Sequence, residues 1–176
     1  MTALAFDPQP RCARSFAIAR HGDQRYGDQP YGVHLDAVAA VLEPYGPLAQ
    51  VVGYLHDVCE DTPTTVEEVE EHFGPLVAAC VALLTDEPCG DRAARKERTH
   101  RKLAAVSAEF ELALIAKAAD RLCNVRACVT DGHARLLNVY RREHPAFRAA
   151  AHRPGLCEPV WRELDALFDT PRAGKH

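Results

Sequence analysis

An all-α, single-domain fold is the class this sequence predicts, and three observations predict it. The chain is rich in alanine and leucine, both good helix formers. It shows no sustained alternation of apolar and polar residues, the signature of a half-buried strand. Its 176 residues suit one domain spanning 1–176, large enough to bury roughly 70% of its extended-chain surface without covalent staples.

The elements follow from local chemistry. Asp7-Pro8 supplies an N-cap and a first helical position, opening a helix through Ala13, Phe16, Ala17 and Ile18 towards Gln24. A Gly/Pro-rich connection, Gly27 to Gly32, leads to a helix from His34 to Glu43. Pro44-Tyr45-Gly46-Pro47 turns the chain into a helix carrying His56-Asp57, which Thr62-Pro63 ends. Thr64 and Thr65, with Glu67 and Glu68 three residues on, are capping-box starts for the next. Gly74-Pro75 opens a helix from Leu76 to Leu84. The polar stretch that follows gathers Arg92, Arg95, Lys96, Arg98, Arg101 and Lys102, and reads either as a solvated helix or mobile loop, or as a phosphate-facing lid. A long helix spans Glu109 to Val129, and two shorter ones cover Ala134 to Arg142 and Pro159 to Phe168. Beyond Val129, Tyr140 to Pro145 and the single Trp161 suit an amphipathic closing helix, with a homo-oligomer contact as the second reading.

Composition excludes several classes. A net charge of −4 and a pI near 6.1 argue against generic nucleic-acid binding. No apolar run approaches the roughly 18 residues of a membrane span, and the N-terminus lacks the basic head and long apolar core of a signal peptide. Seven cysteines without a C-x-x-C pair fit reduced core residues rather than a disulfide framework. The expected location is the cytoplasm. No activated Ser or Cys triad, phosphate-binding G-x-x-x-x-G-K-S/T loop or G-x-G-x-x-G string is present.

Chemistry concentrates in two strings. In Val51 to Thr62, an adjacent His56-Asp57 pair precedes an adjacent Glu60-Asp61 pair by one turn. On a helical wheel, Glu60, Asp57 and Asp61 fall about 40°, 100° and 140° from His56. Gly53 falls inside that arc, as a bulk-free spot. Such a face is costly to bury without a cation. In Ala116 to Asn124, Lys117, Asp120, Arg121 and Asn124 share one arc of an otherwise apolar helix. That arc suits a metal ligand beside anion-binding groups, or alone an Asp–Arg or Asp–Lys pair with a polar edge. His34, at a helix start, can point back across a cleft; Arg25 is a weaker candidate.

In this order, His34, His56-Asp57, Glu60-Asp61 and Asp120 resemble the HD superfamily of metal-dependent phosphohydrolases. The closer resemblance is to the hydrolase domain of RelA/SpoT enzymes and to small alarmone hydrolases, which remove the 3′-pyrophosphate of ppGpp. It rests on Pro30-Tyr31 to His34, Leu55-His56-Asp57 to Glu60-Asp61-Thr62, Phe73-Gly74 and Lys117 to Asn124, across about residues 13 to 130. It implies an HD-type helical bundle in which His34, His56, Asp57 and Asp120 hold one divalent metal. Glu60 and Asp61 would be catalytic, handling the attacking water and its protons. Arg25, Lys117, Arg121 and Asn124 would face a phosphorylated nucleotide. Two imidazoles and two carboxylates without cysteine suit Mn²⁺ first and Fe²⁺ second. Leu35 follows His34 where the alarmone enzymes usually carry proline, and their basic loop is shortened here to Arg25-Tyr26-Gly27. Both departures fall on the substrate side. The alternatives are another HD-type nucleotide phosphatase or phosphodiesterase, or a metal- or nucleotide-binding regulatory domain without turnover. Asp131-Gly132-His133 lacks the Gly-Tyr-Pro extension of the cyclic-di-GMP branch.

Overall fold

A computed structural model describes residues 8–86 and 90–169. Helices dominate: α1 (Pro10–His21), α2 (Gly32–Leu42), α3 (Pro47–Leu55), α4 (Val58–Asp61), α5 (Val66–Phe73), α6 (Pro75–Leu84), α7 (Arg92–Ala104), α8 (Glu111–Thr130), α9 (Ala134–Ala151) and α10 (Glu158–Asp169). The all-α expectation holds, with one addition. Between α1 and α2 lies a small antiparallel hairpin, β1 (Arg25–Tyr26) paired with β2 (Gln29–Pro30), of which only β2 falls within the Gly27–Gly32 connection. Two-residue strands are too short to show period-2 patterning, which is why the sequence did not reveal them.

α8 is the central strut. Every residue from Ala113 to Cys123 is buried, so this stretch is enclosed on all faces rather than amphipathic. Alanines 113, 116, 118 and 119 keep it slim, and α2, α3, α6, α9 and α10 pack around it. Leu35, Val38 and Leu42 of α2, Val51, Val52 and Leu55 of α3, and Trp161 and Leu164 of α10 complete the core.

Several boundaries shift for identifiable reasons. α1 begins at Pro10 with Gln9 as N-cap; Asp7 lies outside the described residues. It stops at His21, because Gly22 takes a positive φ of 54°. Thr65, not Thr64, caps α5 by accepting from the Glu68 N–H at 3.2 Å. The polar stretch after Asp86 is helical: Asp91 caps α7 by accepting from the Ala94 N–H at 2.9 Å. α9 continues beyond Arg142 and through Pro145, since Phe147, Ala150 and Ala151 bury their side chains and tertiary packing outweighs the proline. Cys80, Cys123, Cys128 and Cys157 are buried free thiols and Cys59 is half-buried, but Cys12 is exposed; Cys89 lies outside the described residues.

The largest correction concerns the His56-Asp57 helix. It is not one helix: α3 ends at Leu55, and α4 restarts at Val58. Gly53 does not open space beside the ligands either. A Cβ there would meet Leu42 Cδ1 at 2.3 Å and Val38 Cγ1 at 3.4 Å, so the glycine lets α3 approach α2. The four-residue arc drawn on a continuous wheel therefore does not exist.

α7, α8 and α9 are tied by Glu143. Its carboxylate accepts from Arg92 at 2.7 and 3.1 Å and from Arg121 at 3.2 Å. The Arg121 guanidinium lies 4.7 Å from the ring centres of both Tyr140 and Phe147. Burial disfavours the Glu143 anion, but Arg92 and Arg121 outweigh it and hold the pKa below the usual 4.5. The stabilisation is therefore complete above that ordinary value and fades as pH falls through the folded-state value. Glu143→Gln should destabilise the protein by about 1–3 kcal/mol at pH 7, since one partner is buried and the other exposed. Chemical denaturation should show the gap to the parent closing as pH falls below the ordinary 4.5 and through the lowered folded-state value; a constant gap would remove the charge from the explanation.

Candidate active site

The core of the site forms where α2, the α3–α4 junction and α8 meet. His56 caps the end of α3, and its Nδ1 donates to the Gly53 carbonyl at 2.7 Å. That bond assigns the Nδ1–H tautomer to the neutral ring and leaves a bare lone pair on Nε2. At Asp57 the backbone leaves the helix (φ −108°, ψ 0°), and one carboxylate oxygen comes to 2.8 Å from His56 Nε2. Asp120 Oδ1 lies 3.6 Å from the same nitrogen and 3.3 Å from His34 Nε2. The His34 and His56 rings meet edge-on with centres 5.3 Å apart.

Ligand-type atoms of His34, His56 and Asp57 all lie within 4.8 Å of one another. Asp120 stands at the edge of this group, close to both imidazoles but outside that mutual limit. Two neighbours hold it there: Asn124 Nδ2 donates to Oδ1 at 2.6 Å, and Lys117 Nζ is 3.8 Å from Oδ2. His56 is 1% exposed, and its Nε2 has no hydrogen-bond partner among the described residues despite the neighbouring carboxylate. Lone pairs therefore converge on a buried point, an arrangement that only a cation or a proton makes favourable. A proton can take that place: burial opposes charge on His56, but Asp57 and Asp120 outweigh it and raise its pKa well above 6.5. Asp120 moves the opposite way, since burial is outweighed by His34, His56 and Lys117.

A second layer of side chains aims these groups. Tyr31 donates its hydroxyl to Asp57 Oδ2. Tyr26, on the hairpin, donates to Asn124 Oδ1 at 2.8 Å and stacks on His34 with ring centres 4.5 Å apart and planes 16° from parallel. Gln24 donates to Asp61 Oδ2 at 2.7 Å and faces His21 Nδ1 at 2.8 Å, so its amide orientation is set from both ends. These partners act across long sequence separations, and nothing in one sequence pairs them. Tyr31 had a faint signal, its place three residues before His34.

The remaining expected residues divide. Lys117 and Asn124 join the cluster, and Lys117 is 8% exposed. Glu60 and Asp61 leave α4 in different directions. Glu60 Oε2 accepts the Asp86 N–H at 3.0 Å, whereas Asp61 turns to Gln24. Burial raises the pKa of Glu60 above 4.5, with the Asp86 N–H opposing. Arg25 is not brought to the cluster; its guanidinium donates to the Asp28 carbonyl on the exposed hairpin. Arg121 lies under Tyr140 and against Glu143, one residue from Asp120 but turned into the α8–α9 interface. Beside His34 and Asn124 opens a cleft of about 870 Å³, walled by Val33, Cys123, Ala127, Leu136 and Tyr140.

Comparison with known proteins shows the family and the fold. A family model described as "HD domain" matches residues 13–156. The guanosine-3′,5′-bis(diphosphate) 3′-pyrophosphohydrolase of Aquifex aeolicus is 31% identical over 160 residues, covering 89% of this chain but 22% of that protein. The chain thus spans about a fifth of the length of that relative. The Danio rerio guanosine-3′,5′-bis(diphosphate) 3′-pyrophosphohydrolase MESH1 is 34% identical over 128 residues, covering 67% of this chain and 69% of its own. The solved structure of a metazoan ortholog of SpoT, described as hydrolysing ppGpp, shares the fold: TM-score 0.72 at 24% identity, covering 94% of this chain and 97% of that one. With the match running from within α1 to the turn that follows α9, this chain belongs to the HD domain family.

Proposed function

We propose that this chain is a metal-dependent phosphohydrolase that removes the 3′-pyrophosphate of ppGpp. The observation that carries the reading is the buried, unpartnered His56 Nε2 facing the Asp57 and Asp120 carboxylates and the His34 ring. The substrate follows from the pyrophosphohydrolase relatives, including one of comparable size.

In this reading His34, His56, Asp57 and Asp120 hold one divalent ion. Two nitrogen and two oxygen donors without thiolate favour Mn²⁺, with Fe²⁺ next. Such an ion would supply a nucleophile near neutral pH, by acidifying water from a pKa of about 15.7 towards 7, and would offset charge on phosphoryl oxygens. The chain's own groups do the rest. The His56 Nδ1–Gly53 bond fixes which ring nitrogen is offered, and Tyr31 fixes the rotamer of Asp57. Glu60 takes the proton of the attacking water. As the water oxygen bonds to the phosphorus carried on the 3′-oxygen, that P–O bond breaks, and the leaving 3′-oxygen receives a proton, giving GDP and pyrophosphate. Asp61, held by Gln24, is the second carboxylate for these transfers. Lys117, kept charged despite burial by Asp120 and Asp57, offsets negative charge on the pyrophosphate. The nucleoside occupies the cleft beside His34 and Asn124, within the range typical of ligand sites. Arg25 and Arg121 serve the nucleotide from the hairpin and the α8–α9 side once their present partners yield.

Purified protein incubated with ppGpp and Mn²⁺ should release equimolar GDP and pyrophosphate, and chelation should stop the reaction until Mn²⁺ is restored. Turnover of other phosphorylated nucleotides with none of ppGpp would move the chain to another HD hydrolase specificity. Glu60→Gln should keep its Mn²⁺, measured by elemental analysis, yet lose about 10²–10⁴-fold in kcat, the usual contribution of a general acid/base; parent-level turnover would take Glu60 out of the mechanism.

A further inference from the structure

We propose that Asp86, with its anchors Lys96 and Thr99 on α7, is the device that positions Glu60 for proton transfer. The inference rests on the role given to Glu60 above.

Asp86 follows the end of α6 by two residues and is 8% exposed. Its backbone N–H donates to Glu60 Oε2 at 3.0 Å, linking groups 26 residues apart. Its carboxylate is held from α7 by Lys96 Nζ at 2.9 Å and by the Thr99 hydroxyl. Lys102 Nζ reaches back to the carbonyls of Ala82 at 3.2 Å and Thr85 at 2.7 Å. Lys96, Thr99 and Lys102 recur every third residue, so they share one face of α7, and that face grips the chain from Ala82 to Asp86. The basic helix thus turns part of its charge inward, onto the peptide that holds Glu60.

Glu60 needs such a holder. It sits on α4, a single turn, and single turns are weak on their own. An untethered glutamate samples several rotamers, and ordering it has an entropic cost. A backbone N–H on Oε2 removes that freedom and leaves Oε1 for water. It cannot ionise, and its direction is set wholly by the peptide that carries it. That peptide is steered by the Asp86 carboxylate, which accepts from an ammonium and a hydroxyl together, the ammonium bond being strengthened by charge on both partners. Asp86, Lys96 and Thr99 are therefore positioning residues: they touch Glu60 and its holder, not the substrate.

The test measures kcat and KM for ppGpp with Mn²⁺, bound Mn²⁺ and melting temperature in Thr99→Val, Thr99→Ser, Lys96→Met and Asp86→Ala. Each is made in the parent and in Glu60→Gln, with single-turnover conditions for slow variants. Thr99→Val, Lys96→Met and Asp86→Ala should lower kcat about 10- to 100-fold, the scale of a misplaced catalytic group, while KM and bound Mn²⁺ stay at parent values. Thr99→Ser should restore the rate. In Glu60→Gln the same changes should have almost no further effect, because residues acting through one group are not additive. Equal losses in both backgrounds, or Mn²⁺ lost in step with rate, would overturn the proposal and leave only a structural role. So would parent-level kcat in Lys96→Met and Thr99→Val while Glu60→Gln is slow, with the role of Glu60 intact. If Glu60→Gln itself turns over at the parent rate, the failure lies in the role given to Glu60; if the parent does not turn over ppGpp, it lies in the hydrolase reading.

Discussion

The bond from His56 Nδ1 to the Gly53 carbonyl is the constraint on which the rest of the site depends. It does two things at once. It uses one ring nitrogen on a backbone acceptor at the end of α3, and so presents the other as an acceptor rather than a donor. It also coincides with the break that frees Asp57 from the helix and lets its carboxylate reach the same point in space as the imidazole. On an unbroken helix, consecutive side chains diverge by about 100° and could not share a target. The adjacent His-Asp pair works because the helix stops between α3 and α4.

Burying two imidazoles, two carboxylates and an ammonium beside one another demands compensation, and the fold supplies it in layers. Inside, Lys117 stays protonated beside Asp120, and the Asp57 and Asp120 carboxylates favour positive charge, a proton or an ion, at His56 Nε2. Outside that cluster, neutral donors, one on α8 itself and two from the segment before α2, take further lone pairs. Asn124 bonds Asp120, Tyr26 bonds Asn124, and Tyr31 bonds Asp57. Two of these come from the hairpin region, so the smallest element of the fold fixes both faces of the His34 neighbourhood. Metal sites are tuned by such outer partners as much as by the ligands.

Rigidity on the opposite side comes from α8. Its run of alanines allows five helices to approach it, so Asp120 is carried on a backbone held from all directions. The Arg121–Glu143–Arg92 link then joins α8 to both α7 and α9. Arg121 illustrates how a polar arc leaves a side chain's contacts undecided. It follows Asp120 directly in the chain, yet the guanidinium packs against Tyr140 and Phe147.

Much of this protein was legible in its sequence. Helix formers, proline and glycine punctuation and threonine caps act within a few residues, so the order of helices and most of their limits could be read locally, as with Thr65 and the Gly74-Pro75 corner. The metal-type residues were legible for a related reason: charged and imidazole groups in apolar surroundings are conspicuous wherever they occur. Only the tertiary structure decided what those groups do to one another. It broke the helix at His56, carried α9 past Pro145, turned Arg121 inward and gave Asp86, Tyr26, Tyr31 and Gln24 their partners. Those outcomes depend on contacts between residues far apart in the chain. Their energies outweigh local preference only when the helices are packed, and no window of sequence contains both halves of such a contact.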